Sequence, residues 1–162
     1  MDGSALKEKI GQKKPRYSNK YRKLIDSISN KGDATGSGDF SSFGAFYQTY
    51  MYAFIIGYRL KRYLPLEVGE GTNEFAPFFS WQPATVRDYI LMLLLIESDK
   101  FGFKWIDLEE ANEETINVFV TELFRRMEGY ANAGFEYLQE KFDNEKIEFQ
   151  DPFVFVNFLE DL

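Results

Sequence analysis

The stretch from Phe43 to Leu64, FGAFYQTYMYAFIIGYRLKRYL, limits the possible folds more than any other. Phe43, Phe46, Tyr47, Tyr50, Phe54 and Tyr58 recur at helical spacing, while Tyr52, Ala53, Ile55 and Ile56 cover much of the opposite side. A helix that is apolar nearly all round belongs inside a domain, with neighbours on every side. Gly57 lies within it, where glycine costs a helix about 1 kcal/mol relative to alanine. The predicted reason is a close crossing by another helix, the one containing Leu93 and Leu94; a ligand contact is the alternative. Pro65 ends the segment.

Pro83, at a first helical position, opens the second apolar helix. Its expected deep face is Val86, Tyr89, Ile90, Leu93 and Leu94, widened by Met92, Leu95 and Ile96, and this makes it the natural partner of the first. Between the two, Leu66 to Gln82 reads as a long loop carrying Phe75, Phe78, Phe79 and Trp81. Disordered linkers seldom carry four large aromatic rings. These rings are expected either to lie over the central helix or to form an interface for a partner.

Asp107 with Glu110 has capping-box spacing, and Asn112 with Thr115 offers a second helix start. From there Ile116, Phe119, Val120, Leu123, Met127 and Tyr130 form a stripe that resumes past Gly134 with Phe135, Leu138 and Phe142. The pattern fits one long rod or two helices joined near Gly134. Asp151 and Pro152 open a short apolar end that reads as a helix, although its alternation also permits a strand. No segment combines β-branched alternation with hairpin turns, so the expected class is all-α: a single-domain bundle of five or six helices around two buried central ones.

Ahead of this domain, placed at residues 16–162, residues 1–15 read as a flexible basic arm. Ser18 is positioned to cap a helix from Asn19 to Ser29. Residues 1–23 carry eight Lys and Arg against two acids, a surplus of +6, so the remaining 139 residues carry −13 of the net −7. A basic segment on an acidic body suits nucleic acid, with Lys13, Lys14, Arg16, Lys20, Arg22 and Lys23 as the binding residues, assisted by Arg59 and Arg62. The plainer alternative is that the arm docks on an acidic face of its own body or of a second copy. For Arg59 and Arg62, complementing the helix dipole at the end of the central helix is a sufficient role.

Chemistry is constrained by what is missing. The chain has no cysteine and no histidine, which removes thiolate sites, the Ser-His and Cys-His dyads and the commonest metal ligand. No catalytic residue, metal site, cofactor or small-molecule substrate is predicted. The glycines of residues 30–42 lack the Gly-Lys-Ser/Thr ending of a phosphate loop and read as a connection closed by a cap at Ser41 or Ser42. Glu109, Glu110, Glu113 and Glu114 cluster at a helix start, where negative charge is favoured anyway. Glu110 and Glu114 are the least implausible Mg²⁺ ligands if the protein is an enzyme after all. The longest apolar run, Tyr89 to Ile96, is far short of a membrane span, and no secretory pattern is visible, so the expected location is the cytoplasm.

Three stretches carry a likeness to a known group: Arg16-Tyr17 through Leu24-Ile25; Ala53 to Tyr58 with Arg62 to Leu66; and Glu128-Gly129-Tyr130-Ala131-Asn132-Ala133-Gly134-Phe135-Glu136-Tyr137-Leu138. In that order the chain resembles the small helical proteins associated with bacterial DNA phosphorothioation-dependent restriction (Dnd) systems. The resemblance implies an accessory role in DNA modification or phage defence and brings no chemistry with it. The leading expectation is therefore a non-enzymatic, oligomeric interaction protein; nucleic-acid binding and a carboxylate/Mg²⁺ enzyme are the alternatives.

Overall fold

The computed structural model describes residues 3–29 and 44–162, and among these seven α-helices follow one another. They are α1 (Gly3–Gln12), α2 (Arg22–Ile28), α3 (Phe46–Arg59), α4 (Ala84–Ile96), α5 (Trp105–Glu109), α6 (Glu113–Asn144) and α7 (Val154–Glu160). Two short strands, β1 (Arg16–Ser18) and β2 (Thr72–Glu74), pair antiparallel with Tyr17 opposite Asn73. The chain is thus mostly helical, with a two-stranded ribbon that the sequence did not announce. Phe43, the glycine-rich connection and its cap at Ser41 or Ser42 lie outside the described residues.

The most extensive contact is α3 against α6, not α3 against α4 as expected. Backbone meets backbone at two points. A Cβ added to Gly57 would lie 2.8 Å from the carbonyl carbon of Tyr130, and one added to Gly134 would lie 2.5 Å from that of Ala53. The pairs 57/130 and 53/134 run antiparallel, one helical turn apart. The correction has a steric reason: at the crossing α6 offers Gly134 against Ala53 and its main chain at Tyr130 against Gly57, whereas α4 presents leucines that would hold the axes apart. Only Ile90 and Leu94 of α4 are buried.

Gly134 is consequently no joint, and α6 is one rod of 32 residues, about 48 Å long. Its start is the second of the two expected: the Asn112 side chain accepts from the Thr115 N–H at 2.8 Å. The Asp107–Glu110 box does not cap it, because Asp107 already lies inside α5. At the other end of the chain the last segment is a helix, α7, and not a strand. Asp151 and Pro152 precede it without capping it, since its N-cap is Phe153 and Asp151 instead accepts from the Phe153 N–H at 2.9 Å in the turn before the helix.

Residues 1–15, predicted as a flexible arm, instead carry α1, with Ile10 buried and Lys9 donating to Glu113 and Asn117 of α6. Ser18 is no helix cap: it pairs with Thr72 in the ribbon and its hydroxyl donates to Glu70 at 2.7 Å. The helix expected over 19–29 shortens to a 3₁₀ turn and α2. Backbone bonds from Phe75 to Pro15 and from Phe78 to Lys13 extend the ribbon at 2.8 Å each, tying this segment to the aromatic loop.

At the end of α3 the chain reverses through Lys61, whose φ of 55° is left-handed. The Lys61 N–H reaches the Tyr58 carbonyl and the Arg62 N–H the Gly57 carbonyl, both at 3.1 Å, a pairing that usually has glycine at its turning point. Lys61 is exposed. Lys61→Gly should therefore stabilise the protein by about 0.5–1 kcal/mol, read as a higher urea midpoint at unchanged slope; a lower midpoint would contradict this account.

Candidate functional site

Three of the eight predicted nucleic-acid-binding residues come together. Lys13, Lys14 and Arg16 line a cleft of about 410 Å³ together with Gln12, Thr121, Phe124 and Arg125 and the acidic Glu74 and Glu128. Glu128, buried on α6, takes the Arg16 backbone N–H at 2.6 Å and grips its guanidinium through Nε at 3.1 Å and Nη2 at 3.2 Å. That bond holds the guanidinium still more firmly charged than usual. Neither Arg125 nor Glu128 was read from the sequence as a site residue. Both lie on α6, 109 or more positions along the chain from Arg16, and no local pattern pairs residues so far apart.

The other five cations do not line this cleft. Arg22 donates to the Tyr17 hydroxyl at 2.7 Å and to Asp26 at 3.2 Å, and it lies over the Phe46 ring. Arg62 pairs with Glu136 at 2.6 Å. Arg59 complements a helix end, but of α7 and not of its own helix: it donates to the carbonyls of Leu159 at 2.9 Å and Leu162 at 3.4 Å. Lys20 and Lys23 are exposed.

Of the four rings considered as an interface, Phe75, Phe78 and Trp81 are buried in the core, and only Phe79 is exposed, at 60%. The loop covers α3 because Tyr50 meets Phe75 and Trp81 edge-on, with centroids 4.9 and 5.4 Å away. Phe79 rests beside Gly11 of α1.

A second buried carboxylate, Glu97 at the end of α4, accepts from the Tyr130 hydroxyl at 2.7 Å and from Lys100 at 3.2 Å. Arg126 lies 3.5 Å from the same carboxylate with its guanidinium over the Tyr63 ring. This cluster clamps the end of α4 onto α6. Burial and the bond to Glu97 push the Tyr130 hydroxyl up to about 12, and burial pushes Tyr21 to about 12. Such phenols keep their protons in the folded chain after the unfolded chain, titrating near 10, has lost them. Their contribution is complete below roughly pH 10 and is lost as the pH rises toward the folded values. Urea midpoints should fall across that window, and less steeply in Tyr130→Phe.

The acidic residues do not converge. Glu109 ends α5, Glu113 pairs with Lys9 at 3.3 Å, and among the described residues no three carboxylates are placed to hold a metal. No described helix is long and apolar enough to cross a membrane.

What the described residues leave uncovered is apolar. Along α4, Tyr89, Met92 and Ile96 are 51%, 46% and 65% exposed, although the sequence placed them in or beside the deep face. At the N-terminal end of α4 opens a groove of about 380 Å³ floored by Met51, Tyr52 and Ile55 of α3 and walled by Val86 of α4 and by Phe155, Val156 and Leu159 of α7; its polar side-chain groups are those of Gln48 and the Tyr52 hydroxyl, which donates to the Phe155 carbonyl at 2.7 Å. Phe153 and Val156 are more than half exposed along the α7 side. The signal for this surface was present as a surplus: α4 is apolar on more faces than one neighbour can bury.

No family model, no curated protein and no solved structure matches the chain. None of the three comparisons therefore supports the likeness to the Dnd-associated proteins.

Proposed function

We propose that the protein is a non-enzymatic interaction protein, an accessory within a larger assembly, and that its docking face is the apolar surface of α4 and α7. The observation that carries this reading is the exposed Tyr89, Met92 and Ile96 ridge on α4, the helix whose Val86 walls an almost wholly apolar groove. Large exposed apolar patches mark interaction sites more often than chance surface. In this reading α3 and α6 form the axis of a single-domain bundle in the cytoplasm, and α4 serves a partner. The likeness of residues 16–142 to Dnd-associated proteins would set that partner in bacterial DNA modification or phage defence.

The test is binding to the purified products of the neighbouring genes, and to itself, with native protein and with the double variant Met92→Lys, Ile96→Lys. Exposed positions tolerate such changes within about 0.5 kcal/mol, so the variant should fold while losing the association. Equal binding by both proteins, or none by either, would overturn the reading.

A second reading keeps nucleic acid as the partner, favoured by the cleft that brings Lys13, Lys14, Arg16 and Arg125 together with only two carboxylates, Glu74 and Glu128. Binding of that kind must weaken steeply with salt. Duplex titrated at about 50 mM salt, where such contacts are strong, decides it: absence of binding removes the reading.

A further inference from the structure

We infer that the cleft lined by Lys13, Lys14 and Arg16 seats a single phosphate group, free or carried as a monoester by a small molecule or a strand end. The inference shares its cleft with the nucleic-acid reading and rests on that cleft being a ligand site. It narrows the ligand from a duplex to one phosphate.

Arg16 is the anchor. A guanidinium is a planar fork with five N–H donors. Glu128, only 6% exposed, accepts from Nε at 3.1 Å, from Nη2 at 3.2 Å and from the Arg16 backbone N–H at 2.6 Å. Three bonds to one buried carboxylate fix both the main chain and the plane of the fork. They use two of the five side-chain donors and leave three, on Nη1 and Nη2, along an edge suited to bidentate pairing with phosphate. No described residue accepts from these three. The side chain lines the cleft and is 46% exposed.

Charge completes the site. Lys13 and Lys14 are exposed, and neither has an acidic partner among the described residues. Their main chain is held in place, since the Lys13 carbonyl accepts from Phe78 and the Pro15 carbonyl from Phe75 at 2.8 Å each. Arg125 is already paired with Glu122 on its own helix. The lining sets four cations against Glu74 and Glu128, a surplus of +2. A phosphate monoester brings nearly two negative charges and three acceptor oxygens, enough to engage the fork and both lysines together. A carboxylate brings one charge and two oxygens. Glu74, exposed and opposite Arg16 across the ribbon, works against any anion.

The scale of the site agrees. About 410 Å³ is the volume of a small-molecule pocket. A duplex is held by cations spread along its backbone, yet Arg22, Arg59 and Arg62 are engaged by their own chain and do not line the cleft.

The experiment follows amide chemical shifts of the isotope-labelled full chain at constant ionic strength. The probes are inorganic phosphate, glycerol phosphate, acetate, and a short single strand with and without a terminal phosphate. Phosphate and its monoester should bind with a Kd of about 1 mM or tighter, as two or three charge-assisted hydrogen bonds provide. Acetate should bind at least about tenfold more weakly. A strand that gains about tenfold from its terminal phosphate places the source in nucleic acid; tighter binding of glycerol phosphate than of that strand places it in a small molecule. Lys14→Glu should weaken phosphate about tenfold or more at an unchanged urea midpoint, because the position is exposed. Lys23→Glu, exposed and outside the cleft, should leave binding within about twofold. Glu74→Gln should tighten it by up to about fivefold. No saturable shift by about 10 mM phosphate, equal loss in Lys14→Glu and Lys23→Glu, or weaker binding in Glu74→Gln overturns the inference. Duplex binding that phosphate cannot displace removes this inference and leaves the nucleic-acid reading. Phosphate binding without duplex binding does the reverse.

Discussion

Gly57→Ala and Gly134→Ala should each destabilise the protein by about 3 kcal/mol, the upper end of what overpacking costs. Helix propensity alone predicts the opposite sign, since alanine is favoured over glycine by about 1 kcal/mol in a helix interior. The difference lies in what the new methyl group meets. At Gly57 it meets the Tyr130 carbonyl, and at Gly134 the Ala53 carbonyl. Side chains can rotate out of the way of a methyl group, but main-chain carbonyls held in a helical ladder cannot, so the helices must separate along the most extensive contact in the fold. The double variant should cost less than the sum of the two, because a separation made for one methyl group already accommodates part of the other. Urea denaturation of the three variants measures both effects. A stabilised Gly57→Ala would mean that α3 and α6 do not cross there.

Trp81→Ala should cost about 3–5 kcal/mol, the range for truncating a large buried ring. Trp81 is fully buried although it belongs to a connection and not to a helix. Its indole N–H donates to the Ala76 carbonyl at 2.9 Å, and its ring meets Tyr50 of α3 and Phe78, which in turn meets Phe124 of α6 edge-on. Removing the ring opens a cavity between the loop and both long helices and leaves a carbonyl without its donor. Phe79→Ala, two residues earlier and exposed, should change stability by no more than about 0.5 kcal/mol. A Trp81→Ala loss as small as that would show that the loop is a contact surface and not core cover.

Periodicity and caps were legible in the chain because they are relations between near neighbours. The apolar spacing of α3, the stripe of α6 and the Asn112 start all lie within a few residues of the features they define. Ser18, Asp107 and Asp151, read as caps by the same local rule, cap no helix, because their side chains found other partners or other places in the chain. The close crossing at Gly57 was also legible as a need, since a glycine inside a buried helix requires a reason. Which helix met that need was decided by tertiary structure. Both α4 and α6 have apolar stripes, and only the coincidence of Gly57 with Tyr130 and of Ala53 with Gly134 lets one pair of axes approach that closely. The fate of the basic residues was decided in the same way. Arg16 and Glu128 are 112 positions apart, and their pairing exists only because the β1–β2 ribbon holds Arg16 against α6. The surplus apolar surface of α4 shows the boundary between the two kinds of information. Composition records that Tyr89, Met92 and Ile96 favour burial, but whether the chain itself can bury them depends on how many neighbours the packing of α3 against α6 leaves for α4.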